Sequence, residues 1–253
     1  MARVIKGYGW IPDLPDHRDL VYMAPRGVKR LPSKADLRPF CPPVYDQGDL
    51  GSCTANAIGS AHQFDQLKQQ KAGAFAPSRL FIYYNERAMA GTVDEDSGAM
   101  IRDGIKTIAK QGVCSESEWA YNVPKFRTKP SRKCYAEALN NQALTYYSVR
   151  QDLNQMKGCL ASGYPFVFGF SVYESFESEA VAKTGKAIMP RPKDKQLGGH
   201  AVMAVGYDDK GERFIVRNSW GVKWGLKGYF TMPYEYLLDP GLAADFWTIR
   251  LVE

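Results

Sequence analysis

The sequence of 253 residues lacks any apolar run close to the ~18 residues that a membrane-spanning helix needs. Its N-terminus, MARVIKGYGWIPDLPDHRDL, also lacks the apolar core of a secretory signal peptide. These absences predict no membrane insertion. They leave three routes open: the chain stays in the cytoplasm, is exported without a signal peptide, or has had its signal removed.

Metal-binding and redox patterns are also scarce. There are only three histidines, spread widely, and none of the five cysteines forms a CxxC pair, so a zinc site is not expected. Because the cysteine number is odd, at least one thiol stays unpaired within the chain. The net charge is +6, but no basic stripe alternates with aromatic residues, so nucleic acid is not an expected partner. The sequence leaves the oligomeric state open, with a monomer as the expectation.

Residues 1–30 are rich in proline, glycine and charge and have little core of their own. They are either a short pro-segment that covers the folded domain or a plain N-terminal arm, and residues 31–253 are the main domain. Apolar residues at helical spacing come first, and β-branched and aromatic runs separated by turn residues follow. This order predicts an α+β fold with a helical lobe over about 53–140, an antiparallel β lobe over about 141–253 and a cleft between them.

Cys53 is a candidate nucleophile. It follows a glycine-containing turn and opens a predicted helix, with Ser52 as the expected cap. The positive end of a helix dipole lowers the pKa of a thiol, so more of it is thiolate, the nucleophilic form. The alternative is a small, inert core cysteine.

Of the three histidines, His200 is the expected partner of Cys53. His62 faces away on the same helix, more than ~10 Å along its axis, and His17 falls in the proline-rich arm. His200 opens a predicted hairpin whose second strand leads to Asn218, and facing side chains in a hairpin have Cβ atoms ~5 Å apart. The Asn218 amide is therefore expected to orient the imidazole as a base. A structural histidine is the alternative.

Gln47 is the fourth candidate, separated from Cys53 by a turn at Gly48 and Gly51. Its side-chain N–H groups, with the backbone N–H of Cys53, are expected to stabilise an oxyanion on an attacked carbonyl. A glutamine in a loop is by itself usually only solvated, so this prediction depends on the other three residues.

These residues resemble the papain-like cysteine peptidases. The matching pieces are Q-G-x-x-G-S-C at residues 47–53, G-H-A-V at 199–202 and N-S-W-G-x-x-W-G-x-x-G-Y at 218–229. LPSKADLR, at residues 31–38, looks like the start of the mature enzyme in that family. The likeness covers about residues 31–253. The stretches GSCTANA, at residues 51–57, and GYGWIPDLPDHRD, in the arm, resemble a bacterial branch of the family.

The resemblance implies the papain-like two-lobe fold, with a barrel-like β lobe, and a role for each matched position. Cys53 would be the nucleophile, His200 the base and later acid, Asn218 its orienting group and Gln47 part of the oxyanion hole. Trp220 would shield the His–Asn hydrogen bond from water. Ser97, Gly98, Gly199 and Trp220 are the implied substrate-binding residues.

The sequence departs from the family at several positions. Thr54 stands where an aromatic residue usually follows the nucleophile, and Leu50 replaces a disulfide cysteine. The partner cysteines expected around residues 90–100 are missing, so the usual disulfide frame does not carry over. Cys114 and Cys134 flank a loop, and both a disulfide and a reduced pair remain open.

The predicted function is a cysteine endopeptidase that acts on proteins or peptides through an acyl-enzyme, without a metal or cofactor. A non-catalytic peptide-binding module on the same fold and an isopeptidase or acyltransferase are the alternatives. Phe168 or Phe170 lines an apolar subsite or lies in the core, and the acidic residues 94–96 favour basic substrates or are simply solvated.

Overall fold

The structure is a computed structural model that describes residues 8–24 and 30–253, so the parts of the predicted arm at 1–7 and 25–29 lie outside the described residues. The α-helices are α1 (Cys53–Lys68), α2 (Arg79–Ala90), α3 (Ile101–Lys110), α4 (Arg132–Ala138), α5 (Leu153–Ala161), α6 (Glu179–Thr184) and α7 (Tyr234–Leu238). The strands are β1 (Lys34–Asp36), β2 (Ala143–Ser148), β3 (Phe166–Tyr173), β4 (Gln196–Asp208), β5 (Arg213–Arg217), β6 (Tyr229–Pro233) and β7 (Ala243–Val252).

The first helix begins at Cys53 as predicted, but Ser52 does not cap it with its side chain. The Ser52 hydroxyl instead lies 2.6 Å from the Tyr121 hydroxyl and 3.1 Å from Asn56 Nδ2. These contacts use the hydroxyl elsewhere, so it does not accept from a helix N–H group. The helix is buried over most of its length and packs on both α2 and β4. It is therefore the central element between the helices and the sheet.

The next helix, α2, is held at both ends by local sequence. The Ser78 hydroxyl accepts from the Phe81 amide, and Gly91 ends the helix in the left-handed conformation. The third helix, α3, begins at Ile101, because Met100 is still extended. These helices and α4 all precede β2, as the α+β order predicts.

The strands form a single antiparallel sheet in the order β2-β7-β3-β4-β5-β6, with β1 paired to β4, among the residues that the structure describes. The predicted hairpin is β4–β5, in which Asp208 faces Arg213 and Met203 faces Arg217. Sequence analysis did not predict β2 and β7, which pair along one edge. Neither strand alternates cleanly between buried and exposed residues, so the period-2 signal is weak.

The described part of the arm runs over the surface of the main domain. The Ser148 amide of β2 donates to the Leu20 carbonyl at 2.8 Å, and the Tyr22 amide donates to the Ser148 carbonyl at 2.7 Å. Further along, the Ala24 amide donates to the Gln155 side chain at 2.9 Å. Residues 8–24 are therefore anchored at several points. None of the described helices is long and apolar enough to cross a membrane.

Candidate active site

Cys53 is fully buried, with no exposed surface. Burial raises the pKa of its thiol to about 12, and the backbone N–H groups of Ala201, Gly9 and Thr54 act in the opposite direction. The predicted lowering of the pKa by the helix dipole is therefore wrong for this state, because loss of hydration outweighs the nearby N–H groups. The sulfur is a thiol here, and Gly9 of the arm is one of the groups that covers it.

His200 and Asn218 are in contact, but not as directly facing residues of the hairpin, because β5 ends at Arg217, which faces Met203, and Asn218 lies just beyond it. The imidazole Nε2 lies 2.8 Å from Asn218 Oδ1. The backbone N–H of Asn218 donates to the Gly228 carbonyl at 2.9 Å, which holds Asn218 in place. Trp220 stacks on the imidazole with ring centroids 4.9 Å apart and planes 26° apart. His200 is 1% exposed, so its bond to Asn218 is protected from water.

Gln47 is fixed from both sides. Its Nε2 donates to the Leu50 carbonyl at 2.9 Å, and its Oε1 accepts from the Ser219 hydroxyl at 2.6 Å. Its backbone N–H donates to the Ser219 carbonyl at 2.9 Å. Gln47 is thus tied to the residue after Asn218, which aligns the loop before the nucleophile with the loop after β5.

Two predicted substrate-binding glycines face each other across the arm. A Cβ on Gly98, whose φ is +75°, would lie 2.4 Å from the Gly9 carbonyl oxygen, and a Cβ on Gly199 would lie 2.7 Å from Trp10. Ser97 differs, because its hydroxyl lies 2.8 Å from the Thr92 hydroxyl and bonds the carbonyl of Gly98. The Ser97 side chain therefore serves its own loop.

The arm occupies the cleft with regular backbone hydrogen bonds. The Ala99 amide donates to the Gly9 carbonyl at 2.7 Å, and the Ile11 amide donates to the Ala99 carbonyl at 3.0 Å. On the opposite side, the Trp10 amide donates to the Gly199 carbonyl at 3.0 Å. Residues 9–11 therefore lie as an extended segment between the helices and β4.

Two carboxylates anchor the arm next to this segment. Trp10 Nε1 and the Asp13 amide donate to Asp245 Oδ2 at 2.9 and 2.8 Å. The carboxylate of Asp13 accepts from the Arg102 amide at 3.0 Å and from Trp247 Nε1 at 3.0 Å. Burial, and then the neighbouring Asp245, raise the pKa of Asp13 to about 7.

The other candidates from the sequence are two phenylalanines, the acidic residues 94–96 and the pair Cys114 and Cys134. Phe168 and Phe170 are fully buried, and their rings lie 6.2 Å apart in an aromatic cluster. Residues 94–96 are exposed, and the Asp96 carboxylate also accepts from the Gly51 amide at 3.0 Å. Cys114 and Cys134 are both free thiols, joined by a side-chain hydrogen bond.

No three side chains of the metal-ligating types gather within residues 8–24 and 30–253. The site residues that sequence analysis missed are Trp10, Gly169 and Asp245. Gly169 carried a signal, since a glycine inside an aromatic strand often marks a close approach of another group. The sequence around Trp10 and Asp245 gave no such signal. Their role is seen only from the hydrogen bond between the two side chains.

Comparison with known proteins agrees with this arrangement. The model of the papain family cysteine protease matches residues 31–239. The crystal structure of xylellain, a cysteine protease from Xylella fastidiosa, is 48% identical with a TM-score of 0.92 and covers 100% of this chain and 99% of that one. A peptidase C1-like protein of Acanthamoeba polyphaga mimivirus is 44% identical, and the match covers 99% of this chain and 89% of the viral protein. A cathepsin L-like proteinase of Fasciola hepatica is 25% identical over 81% of this chain and 61% of that protein. This chain belongs to the papain family of cysteine proteases.

Proposed function

We propose that this cysteine peptidase is an endopeptidase that uses Cys53 as nucleophile, His200 as base and acid, Asn218 as the orienting group and Gln47 in the oxyanion hole. The observation that carries the proposal is the 2.8 Å bond between His200 Nε2 and Asn218 Oδ1. The amide of Ala201, directly after His200, reaches the Cys53 sulfur, so this bond lies beside the head of α1.

The residues support a two-step reaction. Because His200 Nε2 is engaged with Asn218, proton exchange with the thiol falls to Nδ1. The Cys53 sulfur forms a bond to the peptide carbonyl carbon while His200 takes the thiol proton, which then passes to the leaving amine as the C–N bond breaks. Water, deprotonated by His200, cleaves the thioester and restores the thiol.

The oxyanion of each tetrahedral intermediate would accept from the Cys53 backbone N–H and from Gln47. The bond between Gln47 Oε1 and the Ser219 hydroxyl fixes which end of the amide carries the donors. Gln47 Nε2 donates to Leu50 in the closed state, and its second N–H remains to meet the oxyanion. Trp220, stacked on His200, would keep water from the His–Asn bond.

We also propose that residues 1–30 act as a short inhibitory segment. Gly9 covers the Cys53 sulfur with its N–H group, while its carbonyl is engaged by the Ala99 amide on the other side. The sulfur therefore meets a donor rather than an electrophilic carbon, so the arm is a poor substrate. Cys53 is fully buried with the arm in place, and this burial raises the pKa of its thiol.

Labelling with an epoxysuccinyl thiol-peptidase inhibitor under reducing conditions tests the proposed nucleophile. We expect one adduct, on Cys53, that forms slowly in the native chain and faster when Trp10→Ala loosens the arm. Cys41 is the internal control, since it is a free thiol that is only partly buried. Mass spectrometry that places the adduct on Cys41, or evenly over all thiols, would contradict the proposal.

Release of the arm should depend on pH through Asp13. Its pKa is about 7 with the arm docked, above the usual value of 3.8, so docking is strongest below about pH 4 and weakens as the pH rises through 7. The charged groups facing it are Asp245 and the Arg102 guanidinium, which pairs with Asp19 at 2.6 Å. Each pKa unit changes the docking equilibrium about tenfold.

The ratio of Cys53 labelling rates between the native chain and Asp13→Asn isolates this effect, because both chains share the titration of the thiol itself. We expect the ratio to rise at least ~10-fold between pH 4 and 7. A ratio that stays flat across this range would show that Asp13 does not control docking.

A further inference from the structure

The first turns of α3 hold the acidic part of the arm through two cations. The Arg102 guanidinium pairs with the Asp19 carboxylate, and its Nη2 and Nε atoms lie 2.6 and 2.8 Å from Oδ2. The ammonium of Lys106, one turn further along α3, lies 3.1 Å from Asp16 Oδ2 and 3.5 Å from Asp19 Oδ1. Among the residues that the structure describes, every ion pair of Arg102 and Lys106, the α3 basic pair, is with the arm.

Neutral donors extend this surface beside the α3 basic pair. The backbone N–H of Arg102 donates to Asp13 Oδ1 at 3.0 Å, and it belongs to the first turn of α3, where N–H groups have no partner within the helix. The indole Nε1 of Trp247, on β7, donates to the other oxygen of the same carboxylate at 3.0 Å. The positive end of the helix dipole adds to the attraction for a carboxylate here. The domain therefore meets the aspartates of the arm with both cationic and neutral donors.

Departure of the arm leaves positive charge on this surface. With the arm docked, the side chains of Arg102 and Asp19 are only 13% and 10% exposed, and both Asp19 and Asp16 leave together with the arm. The acids of the domain that act on Arg102 are Asp103 and Asp245, and burial raises the pKa of both. Neither forms an ion pair with Arg102 within residues 8–24 and 30–253. An open cleft therefore has an uncompensated basic surface beside it, which attracts carboxylates.

The α3 basic pair is continuous with the cleft. Ala99 forms backbone hydrogen bonds with residues 9 and 11 of the arm, and α3 begins at Ile101, directly behind this contact. From there the arm runs along the start of α3 and stays attached to it through residues 13–19. A polypeptide that fills the cleft can therefore reach the α3 basic pair without leaving the protein surface.

We propose that the α3 basic pair is a second binding surface for the polypeptide substrate, which favours substrates with an acidic segment next to the cleaved region. The inference rests on the proposed function, because it needs the cleft to take a substrate in place of the arm. The arm itself shows the matching pattern, since residues 13–19, DLPDHRD, carry an aspartate at every third position. A substrate with a neutral segment there would bind through the cleft alone.

The test uses the full chain with Gly9→Ala, Asp16→Asn and Asp19→Asn, which together displace the arm from the cleft and from α3. The substrates are internally quenched peptides that share one cleavable sequence and carry a flanking segment, either Asp-x-x-Asp-x-x-Asp or Asn-x-x-Asn-x-x-Asn. One set carries the segment before the cleaved bond and a second set carries it after, at the distance that separates residues 13–19 from Gly9.

We expect the aspartate peptide of at least one set to have a KM about 10-fold lower than its asparagine partner, because charge-assisted hydrogen bonds are the stronger ones. The two values of kcat should agree within about twofold, since binding far from the reacting bond stabilises the ground state and the transition state equally. The difference in KM should shrink when the salt concentration is raised to about 0.5 M, because salt screens charges at the surface.

Lys106→Gln in the same background should reduce the difference in KM from about tenfold to about threefold, and adding Arg102→Gln should remove it. Lys110→Gln is the matched control, because Lys110 is exposed, lies one turn further along α3 and forms no ion pair with the described part of the arm. We expect this control to keep the full difference. The rate of Cys53 labelling reports on the reaction centre independently of the peptides.

The outcomes separate this second binding surface from the proposed function. A lower KM for the aspartate peptide in one set alone supports the proposal and shows on which side of the cleaved bond the acidic segment lies. Equal KM values in both sets, a difference that survives the loss of both cations, or one that Lys110→Gln removes as fully as Lys106→Gln, overturns it and leaves the peptidase mechanism standing. Failure to hydrolyse any of the peptides, with no labelling of Cys53, overturns both.

Discussion

Hydrolysis should fall about 10⁴-fold or more when Cys53 is replaced by alanine, because the proposed acyl-enzyme forms on its sulfur. His200→Ala should fall by a similar factor, since the thiol then has no base. The double variant should be no worse than either single variant, because residues that act as one unit lose their whole contribution together. The measurement is kcat/KM on a quenched peptide, in a chain whose arm is displaced by Gly9→Ala.

The matched control is Cys159→Ala. Cys159 is also a fully buried free thiol, but it lies on α5, where its sulfur contacts Tyr164 and Arg250. We expect this variant to keep its activity to within a few-fold after allowing for lost stability. Additive losses in the Cys53 and His200 double variant would argue that the two residues act separately.

Gly9→Ala should activate the native chain. A Cβ at this position would lie 1.6 Å from the Gly51 carbonyl oxygen, so the arm cannot keep its place over Cys53. Three backbone hydrogen bonds of residues 9–11 would break, and at about 1 kcal/mol each their loss favours the open cleft roughly 100-fold. The initial rate of peptide hydrolysis and the rate of Cys53 labelling should both rise by about that factor.

Gly211→Ala is the control for this activation. Its added Cβ would meet only the Arg213 side chain, at 3.8 Å, which is ordinary contact. We therefore expect no change in either rate. If Gly9→Ala left both rates at the native level, the arm would not be limiting access to the sulfur, and the inhibitory proposal would fail.

The site was predictable where the chemistry depends on neighbours in sequence or in one hairpin. Cys53 at the start of α1 and the partnership of His200 with Asn218 follow from a turn, a helix pattern and a hairpin. The α+β order followed from the change in periodicity along the chain. These predictions were possible because each depended on residues close in sequence and on one local geometry.

Features that depend on several segments far apart in sequence could not be predicted from the sequence. Burial raises the pKa of the Cys53 thiol, while Gly9, far away in sequence, and Ala201 both supply N–H groups that act against this rise. The hydroxyl of Thr54, where the family usually has an aromatic residue, donates to the buried Glu86 of α2 at 2.8 Å. Asp245 reads as one acidic residue in an apolar strand until the bulge in β7 and the indole of Trp10 are seen together.

The attachment of residues 9–11 to the same polypeptide has a kinetic consequence. A covalently joined segment meets its own binding site at an effective concentration of about millimolar, whatever the concentration of the enzyme. Dilution therefore does not open the cleft, and a free peptide at micromolar levels competes poorly for it. Cutting the chain between the arm and β1 would convert this tethered ligand into an ordinary one that can diffuse away.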